Sequence, residues 1–175
     1  MKIVSERTEI CAVCNKKTLK CLDFEDEIPY FGRILNLQVK CENCGFKHND
    51  FIFLEEHEPV RLELEISGSG DLKIRVARSS HAIITIPELG IMVEPVTMGD
   101  SFITNVEGVF ARIIKIIMQL YRNSSKDEKD RLIEILKKIG LMRAGKLKLT
   151  LIIDDPTGNS KIISDKVKIT KKVIS

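Results

Sequence analysis

Apolar and polar residues alternate through most of this chain, and the pattern changes to a helical period in one region only. Leu35, Leu37, Val39 and Cys41 fall on alternate positions, so residues 34–40 are predicted to be a strand, with 51–54 pairing back on it. Residues 16–24 also have strand composition. Val60, Leu62, Leu64 and Ile66 alternate with Arg61, Glu63 and Glu65, which predicts a half-buried strand. Gly68-Ser69-Gly70-Asp71 reads as a turn, and the alternation of Leu72, Ile74 and Val76 after it predicts the second arm of a hairpin. Residues 82–86 and 89–93 are two more short strands around Pro87-Glu88. The period then lengthens: Val106, Val109, Phe110, Ile113, Ile114, Ile117, Leu120 and Tyr121 recur at helical spacing behind a capping box from Thr104 to Glu107. A second box, Ser125-Lys126-Asp127-Glu128, opens a helix with Leu132, Ile135, Leu136 and Ile139 on one side, and Gly140 is its expected end. Alternation returns at Leu147, Leu149, Leu151 and Ile153, and 162–163 and 167–169 could add final strands. The expectation is a mainly β chain with an α-helical hairpin inserted at about 104–140, an α+β arrangement of sandwich or barrel type.

The segments between these elements complete the plan. Residues 1–10 read as an extended lead-in, and the acidic run Asp23, Glu25, Asp26, Glu27 as a solvated loop. Ile28-Pro29-Tyr30-Phe31 precedes Gly32 and should form a turn or edge, because Pro29 cannot donate to a sheet ladder. Its aromatics are expected to cover the sulfurs of a metal knuckle or to form a recognition edge. The acidic stretch 55–59 is the expected linker, dividing the chain into residues 1–57 and 58–175.

Charge refines the picture. The net charge of +3 conceals an asymmetry: residues 1–58 hold eight Lys/Arg against eleven Asp/Glu, and the rest holds a surplus of six positive charges. An acidic N-terminal part lowers the expectation of nucleic-acid binding, which depends on cations that neutralise phosphates. The lysine-rich segment 161–175 keeps that alternative open. With no long apolar run, a soluble, cytoplasmic protein without membrane contact is expected.

The most specific signal is two C-x2-C pairs, Cys11/Cys14 and Cys41/Cys44, twenty-six residues apart. Each pair can turn both sulfurs toward one ion, so the four are predicted to hold one structural Zn2+ in a ribbon whose knuckles each top a β-hairpin. Gly45, and Asn15 after the first pair, could supply the positive φ of such knuckles. Cys21, the fifth cysteine, reads as packing, and His48 as a surface or neighbouring group.

Catalytic chemistry is not indicated. His48, His57 and His81 are scattered, no phosphate-binding or nucleophile motif occurs, and four thiolates leave zinc no open position for water. Asp154-Asp155-Pro156-Thr157-Gly158-Asn159 has the composition of a turn. The stripe on the first predicted helix reads as core, with Ile116 and Met118 widening it toward a second contact surface.

Several segments together resemble the ZPR-one zinc-finger family. They are Cys11-x2-Cys14, Ile28-Pro29-Tyr30-Phe31, Cys41-x2-Cys44-Gly45, Ile86-Pro87-Glu88-Leu89, Val106-Glu107-Gly108 and Asp154-Asp155-Pro156-x-Gly158-Asn159-Ser160, in that order. The resemblance implies a zinc ribbon followed by a double-stranded β-helix domain with an inserted helical hairpin, and zinc on Cys11, Cys14, Cys41 and Cys44. It also implies a chaperone or binding factor for translation elongation factor one-alpha. Eukaryotic members carry two such modules, so this single module looks like the archaeal form, and a homodimer could restore the second copy. Ile28, Pro29, Tyr30, Phe31, Asp154 and Asp155 are the expected partner-binding residues.

Overall fold

A computed structural model describes residues 1–29, 31–55, 57–95 and 101–171. The N-terminal part is a four-stranded antiparallel meander, β1 (Lys2–Glu9), β2 (Leu19–Ile28), β3 (Gly32–Cys41) and β4 (Lys47–Phe53), hydrogen-bonded in that order. The expected lead-in is therefore itself a strand. The acidic run, expected as a solvated loop, belongs to β2, whose ladder with β3 runs from Leu19↔Cys41 to Ile28↔Gly32. Its charges are matched from the neighbouring strands: Asp23 by Arg7 on β1, and Glu25 by Arg33 on β3 at 3.1 Å. Asp26 meets the N-terminal amine at 3.3 Å. Opposite charges on adjacent strands turn a run that repels itself into a stable strand.

Residues beyond β4 build two more sheets. Strands β5 (Val60–Ile66), β6 (Arg75–Arg78), β7 (Ile83–Ile86), β8 (Ile91–Val93), β9 (Phe102–Asn105), β10 (Leu149–Asp155), β11 (Lys161–Ile163) and β12 (Lys168–Lys171) are divided between them. One sheet has the order β12-β5-β10-β7-β8 and the other β11-β6-β9. The hairpin predicted across Gly68–Asp71 does not form. A 3-10 turn at Asp71–Lys73 follows β5, and β6 crosses to the second sheet to pair with β9 and β11. Asp71 fixes the crossing by accepting from the Ser67 backbone and hydroxyl, both at 2.9 Å, and from Lys166 Nζ at 2.6 Å.

Helices α1 (Val106–Asn123) and α2 (Lys126–Arg143) lie between β9 and β10 in the chain. Val106, Val109, Phe110, Ile113 and Ile117 are buried against the sheets, while Ile139 and Met142 anchor α2. Burying each such side chain is worth roughly 1.5–3 kcal/mol. An ion pair between Arg143 and Glu107 joins the end of α2 to the start of α1.

The caps fall partly where expected. Ser125 N donates to Glu128 Oε2 at 2.8 Å, so the second capping box is present. The first is displaced by one residue: Asn105 is the cap and its Oδ1 accepts from Gly108 N at 2.8 Å, while Thr104 belongs to β9. Gly140 does not end α2. The helix continues to Arg143 and closes in a Schellman motif, with Gly145 at φ 69°, Gly145 N donating to Met142 O at 2.9 Å and Lys146 N to Leu141 O at 2.8 Å. Replacing Asn105 by alanine is expected to cost about 1 kcal/mol, as loss of an N-cap usually does, read as a lower midpoint in denaturant unfolding.

Candidate functional site

The two cysteine pairs occupy the two connections at one end of the meander, β1 to β2 and β3 to β4. They are built alike. Asn15 N donates to Cys11 O at 2.8 Å and Cys11 N to Lys16 O at 2.9 Å; Gly45 N donates to Cys41 O at 3.1 Å and Cys41 N to Phe46 O at 2.8 Å. Asn15 (φ 55°) and Gly45 (φ 74°) supply the left-handed residue that each tight turn needs.

These turns bring the sulfurs of Cys11, Cys14, Cys41 and Cys44 within 4.8 Å of one another. Cys11 and Cys44 are 3.7 Å apart at sulfur, and Cys14 and Cys41 3.6 Å. Four sulfurs at 2.3 Å from a tetrahedral zinc ion would stand about 3.8 Å apart, so the cluster has the right size. Its electrostatics call for a cation too. The Thr18 hydroxyl, 3.2 Å from Cys41 Sγ, together with backbone donors at Cys44 and Asn43, draws the Cys41 thiol down to about 6. A backbone bond from Phe46 pulls Cys44 the same way, but burial and the three neighbouring sulfurs push it up to about 12. Four thiolates this close repel one another unless a cation stands among them. Thr18 carries no sequence signal for this role; it reaches the site because it immediately precedes β2. Cys21 is buried on β2 outside the cluster, and His48 is exposed on β4.

The other recurring segments lie elsewhere. The turn after Ile28 joins β2 to β3 at the end of the meander opposite the cysteines, nine ladder steps or about 30 Å away. Covering of the sulfurs is thereby excluded: an odd number of long strands separates the two ends. Pro29 is exposed and Ile28 half-buried, but Phe31 is 2% exposed and faces no partner; Tyr30 lies outside the described residues.

Asp154 and Asp155 end β10 and point to opposite faces. Asp154 is held by Arg61 Nη1 at 3.1 and 3.2 Å. Asp155 is only 2% exposed, which removes it from any partner-facing surface. It organises the loop that follows by accepting from Ser160 N at 2.6 Å, Thr157 N at 2.8 Å and Thr157 Oγ1 at 2.7 Å. Burial alone would raise its pKa, yet these bonds from Ser160 and Thr157 hold it below the usual carboxylate range. The contribution of Asp155 is therefore complete above about pH 4 and is lost as pH falls further, through the folded-state pKa. Acid titration of the fold is expected to show this loss below about pH 4, and Asp155→Asn to flatten it.

The same loop meets the chain leaving the meander, where His57 N donates to Thr157 O at 3.4 Å. The residue before β9 meets the meander itself, Ser101 N donating to Asp50 Oδ1 of β4 at 3.2 Å. Gly158, at φ +67°, lies under the chain leaving the meander: a β-carbon there would stand 2.2 Å from Glu58 O. The Glu55 carboxylate in turn rests against Gly32, within 3.2 Å of where a β-carbon would be. Thus Gly32 at the start of β3, the chain at Glu55, His57 and Glu58, and the loop at 154–160 meet at one junction, at the end of the meander away from the cysteines.

A cleft of about 350 Å³ opens at that junction. Ile52, Phe53, Glu55 and His57 line it from one side, Ser79, Ser80 and His81 from the β6–β7 connection, and Ser101, Pro156, Thr157 and Asn159 from the other. Ser79 N donates to Ser160 Oγ at 3.0 Å, and Ser80 Oγ lies 3.3 Å from His81 Nδ1. Asn159 donates from Nδ2 to Thr157 Oγ1 at 3.3 Å, while its Oδ1 is buried without a hydrogen-bond partner among the described residues. Four separated segments contribute, so no local motif announces the cleft; the histidines that look scattered in sequence are the one hint.

Comparison with known proteins agrees with this geometry. A family model described as the ZPR1 jelly-roll domain matches residues 70–173. A ZPR1-like protein of Pyrococcus horikoshii is 40% identical over 97% of this chain and 78% of its own length. A ZPR1-like protein of Methanocaldococcus jannaschii is 39% identical over 90% of this chain and 81% of its own. The zinc finger chaperone zpr1 of Schizosaccharomyces pombe is 28% identical over 86% of this chain, but over only 34% of its own length. Four clustered cysteines, in a chain similar to zinc-finger proteins, are a site for one zinc ion.

Proposed function

Because the chain belongs to the ZPR1 family, we propose that it is a zinc-stapled protein-binding module without catalytic activity that engages translation elongation factor one-alpha, as a chaperone or binding factor. The observation that carries this reading is the junction, where two of the segments shared with the family, the turn after Ile28 and the loop after Asp154, meet the chain leaving the meander beside an open cleft, at the end of the meander away from the zinc site. Zinc on four thiolates has no position for substrate, so its role is to hold the ribbon in shape. The fission yeast relative's name, a zinc finger chaperone, supports the same reading. In it, residues 1–57 are the ribbon, residues 58–175 form a double-stranded β-helix domain, and α1 and α2 are a hairpin inserted into that domain. No helix among the described residues is long and apolar enough to cross a membrane, in keeping with a cytoplasmic place of action.

The lysines of β12, exposed at Lys168 and Lys171, favour a second reading as a nucleic-acid-binding ribbon protein. Affinity capture with zinc-loaded protein from its own source organism, with and without nuclease, separates the two. Elongation factor one-alpha retained after nuclease treatment is the expected catch. Recovery of nuclease-sensitive material alone, with gel shifts that weaken steeply as salt rises, would replace the first reading with the second.

A further inference from the structure

We propose that the junction cleft receives an arginine or lysine side chain of a partner protein. The cleft is lined by acceptors and by apolar surface, and no lysine or arginine stands among its described lining residues. Glu55 is the one carboxylate among its described lining residues, and it is half exposed. Its nearest cationic partner, His57, is 3.5 Å away and charged only when protonated. That is longer than a charge-assisted hydrogen bond of about 2.8 Å, so the carboxylate is open to a stronger donor. Asn159, in the lining, has a buried carbonyl oxygen without a donor among the described residues, and a buried acceptor left unpaired is unfavourable until a donor is brought to it. Ser101 also belongs to the lining. Ile52, Phe53 and Pro156 complete the lining with apolar surface, the kind against which the methylene stem of a long basic side chain lies while its charged end reaches polar groups. A planar guanidinium, with five donors in a fixed fork, can serve a carboxylate and an amide oxygen of one cleft better than a compact ammonium does. An anionic ligand would face Glu55 with no lysine or arginine among the described lining residues to offset it.

This deepens the protein-binding reading and rests on it, and its test uses no partner protein, so the two can fail separately. The zinc-loaded full chain, labelled with nitrogen-15, would be titrated with N-acetyl-arginine amide. N-acetyl-glutamine amide serves as the uncharged control and inorganic phosphate as the anionic one. Saturable shifts at the Ser80, His81, Ser101 and Thr157 amides and at the Asn159 side chain are expected with the arginine compound alone. Glu55→Gln, at an exposed position that leaves the rest of the spectrum in place, should weaken that binding about tenfold or more, and Asn159→Ala should weaken it as well. No shift at these amides, equal shifts with phosphate or glutamine, or undiminished affinity in Glu55→Gln would overturn the assignment.

Discussion

Cys41→Ser is expected to release the zinc ion and unfold the ribbon while leaving the jelly-roll sheets intact. Cys41 Sγ lies 3.6 Å from Cys14 Sγ and within reach of the Thr18 hydroxyl, so it is one of the four sulfurs of the cluster and the one that a neighbouring hydroxyl supports. A serine oxygen is a poor substitute for the thiolate that zinc selects. In small zinc modules the binding free energy, about 10–16 kcal/mol, is itself folding free energy, as large as the whole stability of an ordinary domain. The ribbon has little to set against its loss: both cysteine-bearing turns are exposed around the sulfurs, and β1 is exposed along almost its whole length. The large apolar cluster, by contrast, draws its buried members from Val60 to Ile162 and takes none from the ribbon. Elemental analysis should find zinc lost, and limited proteolysis should cut residues 1–57 while sparing the rest. Retention of one zinc ion by a folded ribbon would show that Cys41 is not a ligand.

Gly158→Ala is expected to lower stability by about 3 kcal/mol or more, at a residue that belongs neither to the cysteine cluster nor to the large apolar cluster. Two effects add at this position. The left-handed conformation at φ +67° costs a residue with a β-carbon about 1–2 kcal/mol. The methyl group would also meet Glu58 O at 2.2 Å and the His57 β-carbon at 2.7 Å, so the chain at 57–58 must move away. Gly90→Ala separates the terms, because Gly90 has a similar φ of +61° and nothing within 4 Å of the added carbon. It should cost only the first about 1–2 kcal/mol. Denaturant unfolding of both variants measures the difference. Equal losses would mean that the junction is looser than these distances require.

What the sequence disclosed depended on how local the determining interactions are. The zinc site was legible because each knuckle is specified within about six residues, from C-x2-C to the positive φ at Asn15 or Gly45. The helices were legible from their apolar spacing, but their ends were less so. At the start of α1 Thr104 and Asn105 are both capping residues, and β9, not the local pattern, decides for Asn105. The end of α2 falls at Gly145 because a Schellman motif needs the next residues to turn back, which Gly140 gives no means of judging. Most strands were legible, though β9 and the acidic half of β2 were not, and strand partnership was not. β5 and β6 follow one another across a turn rich in glycine, yet they belong to different sheets. The acidic run of β2 misled for a related reason, since Arg7 and Arg33 lie on other strands. Asp155 read correctly as part of a turn, but its burial and the cleft beside it depend on residues more than fifty positions away.

The most direct test of the account is calorimetric titration of the zinc-loaded chain with purified elongation factor one-alpha from the same organism, repeated after zinc is removed by a chelator. Saturable binding that disappears with the zinc is predicted. No heat of binding from the zinc-loaded protein, with transfer RNA or duplex DNA binding in its place, would contradict it.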